Sequence, residues 1–331
     1  MSFVVQPRSG HVLSSPPGRR RSLPTDSVLD PLAEYLADPQ VTDVFINGAD
    51  SLFVDRGSGP ERVASWRIDD AAARDLAVAL IGIGGRHLDD ASPCVDVRWP
   101  GGARVHAVLE PVARRGACVS IRLPGIQDPT MDSLAKQGMF PGETRTVLEG
   151  FVRDRVNILV TGATGAGKTT LLAALLASAD SGERIVTIED VAELRIAHPH
   201  HIPLEARQAN LEGRGGIGLS RLVREALRMR PDRLVVGECR GEEVRELLTA
   251  LNTGHHGGAG TVHAGSIGDL PARLEALGAL AGMDDYAVAR QVVSAIGAVI
   301  HVARGADGIR RVAGIGRPVL VGDRIGIREE A

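Results

Sequence analysis

The segment Gly162-Ala-Thr164-Gly165-Ala166-Gly167-Lys168-Thr169 has the residue types and spacing to hold a chain of phosphates. A glycine, four residues, then Gly-Lys-Thr is the spacing of a phosphate-binding loop when a strand precedes it and a helix follows. Small residues let successive backbone N–H groups converge on phosphate oxygens, and the helix N-terminus adds its positive end. Lys168 offers a compact charge for the β- and γ-phosphates, Thr169 a hydroxyl for Mg²⁺, and Thr170 one more donor at the helix start. The chain has 36 arginines and two lysines, Lys136 and Lys168, so a lysine kept at this position marks a task that a planar guanidinium is poorly shaped to perform. A glycine-rich turn before an ordinary core helix would not need that combination.

Hydrolysis of a bound triphosphate needs a group that orients or deprotonates water. Glu238, ending the apolar run Arg233-Leu-Val-Val-Gly-Glu238, is the candidate, expected at the end of a strand next to the one that carries the phosphate loop. The other reading of Glu238 is a carboxylate paired with Arg233 or Arg240. An aspartate is usual at the preceding position in many such proteins, and Gly237 stands there instead. A magnesium ion would therefore rest on Thr169, phosphate oxygens, water and another acid. The cluster Glu189-Asp190-Val-Ala-Glu193 could supply that acid, since three carboxylates at a strand end repel one another unless a cation shares the space. Its alternative is a solvated acidic loop. In Thr253-Gly-His255-His256-Gly-Gly-Ala-Gly-Thr261-Val-His263, imidazoles in glycine-rich backbone could donate a hydrogen bond to a terminal phosphate.

These groups need a scaffold. Over 156–161 an apolar run precedes a helix with Leu171, Leu172, Leu175 and Leu176 on one face, and further apolar runs at 184–188 and 234–237 alternate with helices. That alternation predicts an α/β domain with a parallel sheet covered on both faces. The N-terminal half reads differently, with extended runs at 43–47, 51–55, 94–99, 103–109 and 117–122 around a helix at 69–81, a smaller α+β domain. Proline and glycine at 124–129 mark the boundary. The expected organisation is a disordered tail over 1–24, an α+β domain over 25–123, a linker over 124–142 and a phosphate-loop domain over 143–331. The triple arginine at 19–21 reads as a solvated charge run.

Composition excludes several classes. The 331 residues carry 41 acidic and 38 basic side chains, a net charge of −3, so no global positive field would draw nucleic acid or anionic lipid. With five phenylalanines, two tyrosines and two tryptophans, the chain lacks a stacking surface for single strands. Cys94, Cys118 and Cys239 are too few and too scattered for a disulfide framework. No run of 18 apolar residues and no secretory leader is evident. The reading is a cytoplasmic protein.

Taken in order, the phosphate loop, Ile-Glu-Asp-x-x-Glu, Leu-Arg-Met-Arg-Pro-Asp-Arg, Gly-Glu-Cys-Arg, Thr-Gly-His and Thr-Val-His-Ala resemble the type II/IV secretion ATPases. The resemblance covers about 33–321 and is closest to the tight-adherence, CpaF-like branch with its conjugal-transfer-associated members. It implies a C-terminal RecA-like P-loop NTPase domain of α/β class behind a smaller N-terminal α+β domain. It also implies Mg-ATP hydrolysis, a homo-hexamer, and a polytopic inner-membrane platform protein as partner at the inner face of the cell membrane. By this resemblance the Asp box falls on Glu189, Asp190 and Glu193, the Walker B glutamate on Glu238 and the His box on His255 and His263. Glu238 and Glu193 are then the catalytic acids, and Thr169, Glu189 and Asp190 the magnesium ligands. Asp38-Pro-Gln-Val-Thr-Asp43 with Asn47-Gly48 is similar to the family's N-terminal motif, and Arg104 and Arg122 match places where relatives bring arginines toward the phosphates. Cys239 replaces a usual aliphatic residue. The four-cysteine zinc-binding insertion and the extended docking domain of some members are absent from this reading. A DNA translocase of related fold, suggested by the arginines of 221–245, and a nucleotide-sensing scaffold that does not hydrolyse are the competing readings.

Overall fold

The computed structural model describes residues 23–124, 128–207 and 214–330. Most of the expected tail lies outside these residues. The chain divides into two compact units, Met1–Gln127 and Asp128–Ala331.

In the first unit a 3-10 turn, Ser27–Leu32, runs into α1 (Ala33–Ala37), followed by β1 (Asp43–Asn47), β2 (Leu52–Asp55), β3 (Pro60–Arg62), α2 (Asp70–Ile83), β4 (Cys94–Arg98), β5 (Arg104–Val108) and β6 (Cys118–Arg122). The strands form one antiparallel sheet in the order β3-β2-β1-β6-β5-β4. Their side chains alternate between buried and open positions, the pattern of a sheet with one covered face. Asp69 caps α2 by accepting from the amide of Ala72, and the buried Trp99 donates its indole N–H to the Leu80 carbonyl at 2.8 Å, fastening that helix to the sheet.

The second unit runs α3 (Met131–Lys136), α4 (Gly142–Arg153), β7 (Ile158–Gly162), α5 (Lys168–Ala177), β8 (Ile185–Glu189), β9 (His201–Glu205), α6 (Leu219–Leu227), β10 (Arg233–Val236), α7 (Glu243–Asn252), β11 (Ala259–His263), α8 (Leu270–Leu280), α9 (Asp285–Ala295), β12 (Ala298–Arg304), β13 (Arg310–Val321) and β14 (Arg324–Glu330). Its sheet has the order β14-β13-β12-β7-β11-β10-β8-β9. From β12 to β9 every pair is parallel, and β13 and β14 add an antiparallel edge. One face packs on α3, α4 and α5, the other on α6 to α9.

Three local expectations change. Part of the expected linker, 124–142, is structured: Thr130 and Ser133 form a reciprocal capping box for α3, and Met131, Leu134, Met139 and Phe140 join the core beside α5. Helix α5 is buried from Leu171 through Leu176 rather than on one face, because it lies between the sheet and α3 and α4. Finally, β11 separates the phosphate-loop strand from β10. Glu238 therefore stands one strand further from the loop than adjacency would place it. Two inter-strand spacings are roughly 10 Å, so β11 forms the floor of a gap between the two groups.

Candidate active site

The phosphate loop leaves β7 at Gly162, whose φ is 151°. A Cβ there would meet the Val302 carbonyl oxygen of β12 at 2.2 Å, so only glycine lets the loop begin this close to its neighbour strand. Gly165, Ala166 and Gly167 complete the bend, and Lys168 to Thr170 form the first turn of α5. Thr164 is exposed, Thr169 and Thr170 are half-buried and Lys168 is buried. The ammonium donates to the carbonyls of Gly162 and Ala163 at 3.0 Å each. Its third bond goes toward His263, 3.3 Å to Nδ1. Burial lowers the Lys168 pKa, and the nearby Glu238 charge opposes that shift.

His263 ends β11 in register with Gly162. Its Nε2 lies 2.8 Å from Oε1 of Glu238, and its Nδ1 also has Thr164 Oγ1 at 3.5 Å. The ammonium also lies 3.5 Å from Nε2, but an ionised carboxylate can only accept, so the proton of the neutral ring is assigned to Nε2, donated to Glu238, and Nδ1 is left as the acceptor. Burial, then Lys168, lowers the imidazole pKa, with Glu238 working the other way. Glu238 also accepts from Arg240 Nη2 at 2.6 Å. Burial alone would raise the Glu238 pKa, but Arg240, His263 and Lys168 together hold it below the usual carboxylate value, so it is ionised at neutral pH. Of the two arginines considered as its partner, Arg240 takes that role. Arg233 is 2% exposed and pairs with Glu183.

The turn that presents Glu238 is fixed from β11. Thr261 Oγ1 donates to the Gly237 carbonyl at 2.6 Å, and the Cys239 amide donates to the Thr261 carbonyl at 2.8 Å. Gly237 has its own steric reason. Its ideal Cβ would lie 2.4 Å from Cγ of Glu189, because that side chain crosses it from the end of the neighbouring β8. An aspartate at 237 has no room, and the acid near this point comes from Glu189.

Glu189 is 5% exposed, and its Oε1 accepts the amides of Glu193 and Leu194 at 2.9 and 3.0 Å. It thereby shapes the loop that carries the exposed Glu193, whose charge reaches Lys168 and Arg240. Asp190 is exposed. Among the described residues no group of three histidine, cysteine or acidic side chains could hold a metal ion. The donor set therefore fits a magnesium ion that arrives on phosphate oxygens and keeps its waters, with the Thr169 hydroxyl and a carboxylate beside it. It does not fit an all-protein cage.

The remaining candidates lie elsewhere. His255 precedes β11, with Nδ1 3.2 Å from the Ala250 carbonyl at the end of α7. Register puts Ala259 beside Ile158, at the start of β7, and the strand from there to His263 alone spans roughly 13 Å. His255 thus stands beyond the opposite end of β11 from the phosphate loop, and the structure does not bring it to the site. Arg104 and Arg122 belong to the first unit, where they are direct cross-strand neighbours; Arg98 pairs with Arg104 and Asp43 with Arg122. Sequence reading missed Thr261 as a holding group. It also missed Arg310, at the start of β13, whose Nε donates to the Gly165 carbonyl at 3.0 Å. The latter contact joins residues 145 positions apart and leaves no local signal.

The model of the family described as "Type II/IV secretion system protein" matches residues 26–310. A Mycobacterium tuberculosis protein named for conjugal transfer is 49% identical over 296 residues, covering 87% of this chain and 83% of its own. The type IV secretion system protein VirB11 of Brucella suis is 30% identical over 291 residues, 80% of each chain. Among solved structures, the ATPase DotB of Yersinia pseudotuberculosis gives a TM-score of 0.63 at 19% identity over 87% of this chain and 78% of its own. The pilus retraction motor PilT with bound ADP gives 0.59 at 21% identity over 91% and 81%. At these identities the structural likeness is one of fold.

Proposed function

The chain belongs to the type II/IV secretion system protein family, a family of secretion ATPases, and on that premise we propose that it is a motor that hydrolyses Mg-ATP to drive export or pilus assembly. The observation that carries the proposal is the bonded path from Lys168 through His263 to Glu238, which spans the gap over β11 with a cation at one end and a carboxylate at the other. Loop amides and the start of α5 would cradle the phosphates, and Lys168 would exchange its His263 contact for a phosphate oxygen. Glu238 would orient a water molecule over β11 and take its proton as the terminal phosphoryl group parts from the nucleoside diphosphate. His263, released from Lys168 yet still bonded to Glu238, would signal that the terminal phosphate is in place. Magnesium, when bound, supplies charge neutralisation between the outer phosphates.

The finer assignments are read from the motifs and the relatives. Tight-adherence pilus assembly rests on the order of the motifs, and conjugal or type IV export on the names carried by the relatives; both are membrane export machines. The homo-hexamer and the polytopic inner-membrane partner, with Arg104 and Arg122 turned to the phosphates, complete the proposal. No described helix is long and apolar enough to cross a membrane, which suits attachment at the cytoplasmic face through a partner. The arginines of 221–245 lend little support to a nucleic-acid motor, since Arg224, Arg228, Arg233 and Arg240 are engaged by acidic side chains. Binding of ATP by calorimetry tests the site: Lys168→Ala is expected to abolish it with the fold intact, and undiminished affinity would refute the phosphate-loop reading. Turnover stimulated by DNA would favour the nucleic-acid motor.

A further inference from the structure

The two flanks of the phosphate loop differ in chemistry. On one side, over β11 and β10, stand His263 and Glu238. On the other lie β12 and β13, and from there Arg310 reaches back over the loop. Its Nε donates to the Gly165 carbonyl at 3.0 Å. A Cβ on Gly167 would lie 3.1 Å from Arg310 Cδ and 3.1 Å from Met139 Cε, so the arginine stem and the thioether flank the last loop glycine together. They are held as one piece, because the Val312 amide of β13 donates to the Met139 carbonyl at 2.8 Å. Met139 is 3% exposed, whereas Arg310 is exposed, with one guanidinium edge fixed to the loop.

A triphosphate whose terminal group faces Glu238 must run its inner phosphate and nucleoside away from that flank. Along the loop, the direction away from that flank leads toward Gly167 and the first turn of α5, where Arg310 and Met139 stand. We propose that Arg310 is a nucleoside-side binding residue: its guanidinium grips the inner phosphate and stacks against the sugar–base portion, with Met139 as the apolar wall beneath. A guanidinium suits both contacts, since it is planar and carries several fixed donors, and a thioether packs well on a flat ring. The site then distinguishes a nucleotide from an inorganic polyphosphate, which Lys168 and the loop amides alone would not.

This inference rests on the phosphate-site reading above, and the test separates the two. Calorimetry would measure ADP and inorganic tripolyphosphate, each with magnesium, against the full-length wild type, Arg310→Ala and Arg310→Lys, with thermal melts as a fold control. Expected are a roughly tenfold or greater loss of ADP affinity in Arg310→Ala, partial recovery in Arg310→Lys, and a smaller loss, about threefold, for tripolyphosphate, which shares the inner-phosphate contact but has no sugar or base to stack. Equal loss of both ligands would reduce Arg310 to a brace on the Gly165 carbonyl and overturn the inference alone, as would unchanged ADP affinity. If the wild type bound neither ligand, the phosphate-site reading would fall and this inference with it.

Discussion

Nε2 of His263 and Oε1 of Glu238 stand 2.8 Å apart at the ends of adjacent parallel strands, and the other imidazole nitrogen faces Lys168. The imidazole therefore reads both ends of the proposed phosphate site at once. Replacing His263 by alanine removes the contact that aims the carboxylate. We expect turnover to fall roughly tenfold to a hundredfold while ATP affinity changes little. Phosphate-release kinetics would show this as a loss in kcat rather than in KM.

The same contact predicts a pH profile. Burial, then Lys168, depresses the His263 pKa, so the neutral, Nε2-protonated form prevails at neutral pH. As pH falls through that depressed value the ring gains its second proton. It then repels Lys168 and locks Glu238 in an ion pair. The Glu238 pKa is itself held below the usual carboxylate value, so the acid limb of kcat/KM, which reports the free enzyme, is expected to belong to His263. His263→Gln, which cannot titrate, is expected to lose that limb. A pH–rate series on the two proteins, both checked for folding at each pH, decides it.

Gly237 tests the packing beneath the turn that carries Glu238. A methyl group there meets Cγ of Glu189 at 2.4 Å, and the acid cannot move without releasing the amides of Glu193 and Leu194. Gly237→Ala is expected to cost about 1–3 kcal/mol, the usual range for overpacking. Denaturant melts should register it. A variant as stable as wild type would show that Glu189 is free to swing aside.

Much of this site was legible in the sequence because it is local. The phosphate loop is one unbroken segment, Glu238 closes an apolar run, and Lys168 stands out in a chain that otherwise prefers arginine. What stayed hidden depends on strand order and strand length. Glycine-rich residues 254–260 conceal that β11 begins at Ala259, so His255 and His263 look like neighbours although they stand at opposite ends of a strand. The separation of β7 from β10 by β11 is likewise a tertiary fact, since β11 comes after β10 in the chain but inserts beside the loop strand. The capping pair Thr130 and Ser133 was a readable signal for α3, obscured by the proline and glycine on either side of it.

Arg233 offers a stability prediction away from the chemistry. Its guanidinium is almost fully buried at the start of β10, bonded to Glu183 and to the carbonyls of Val152 and Gly257. Glu183→Ala leaves that cation without its counter-charge, which costs about 3–5 kcal/mol for a buried pair broken on one side. Thermal melts should fall accordingly. ATP affinity of the fraction still folded should match wild type, because this cluster lies at the opposite strand end from Glu238.

Whether Glu238 makes water cleave a nucleotide held by Lys168, as proposed, is decided by single-turnover phosphate release from wild type and Glu238→Gln. Glu238→Gln is expected to bind Mg-ATP as tightly as wild type yet release phosphate at least about a hundredfold more slowly. Release at the wild-type rate from that variant would contradict it.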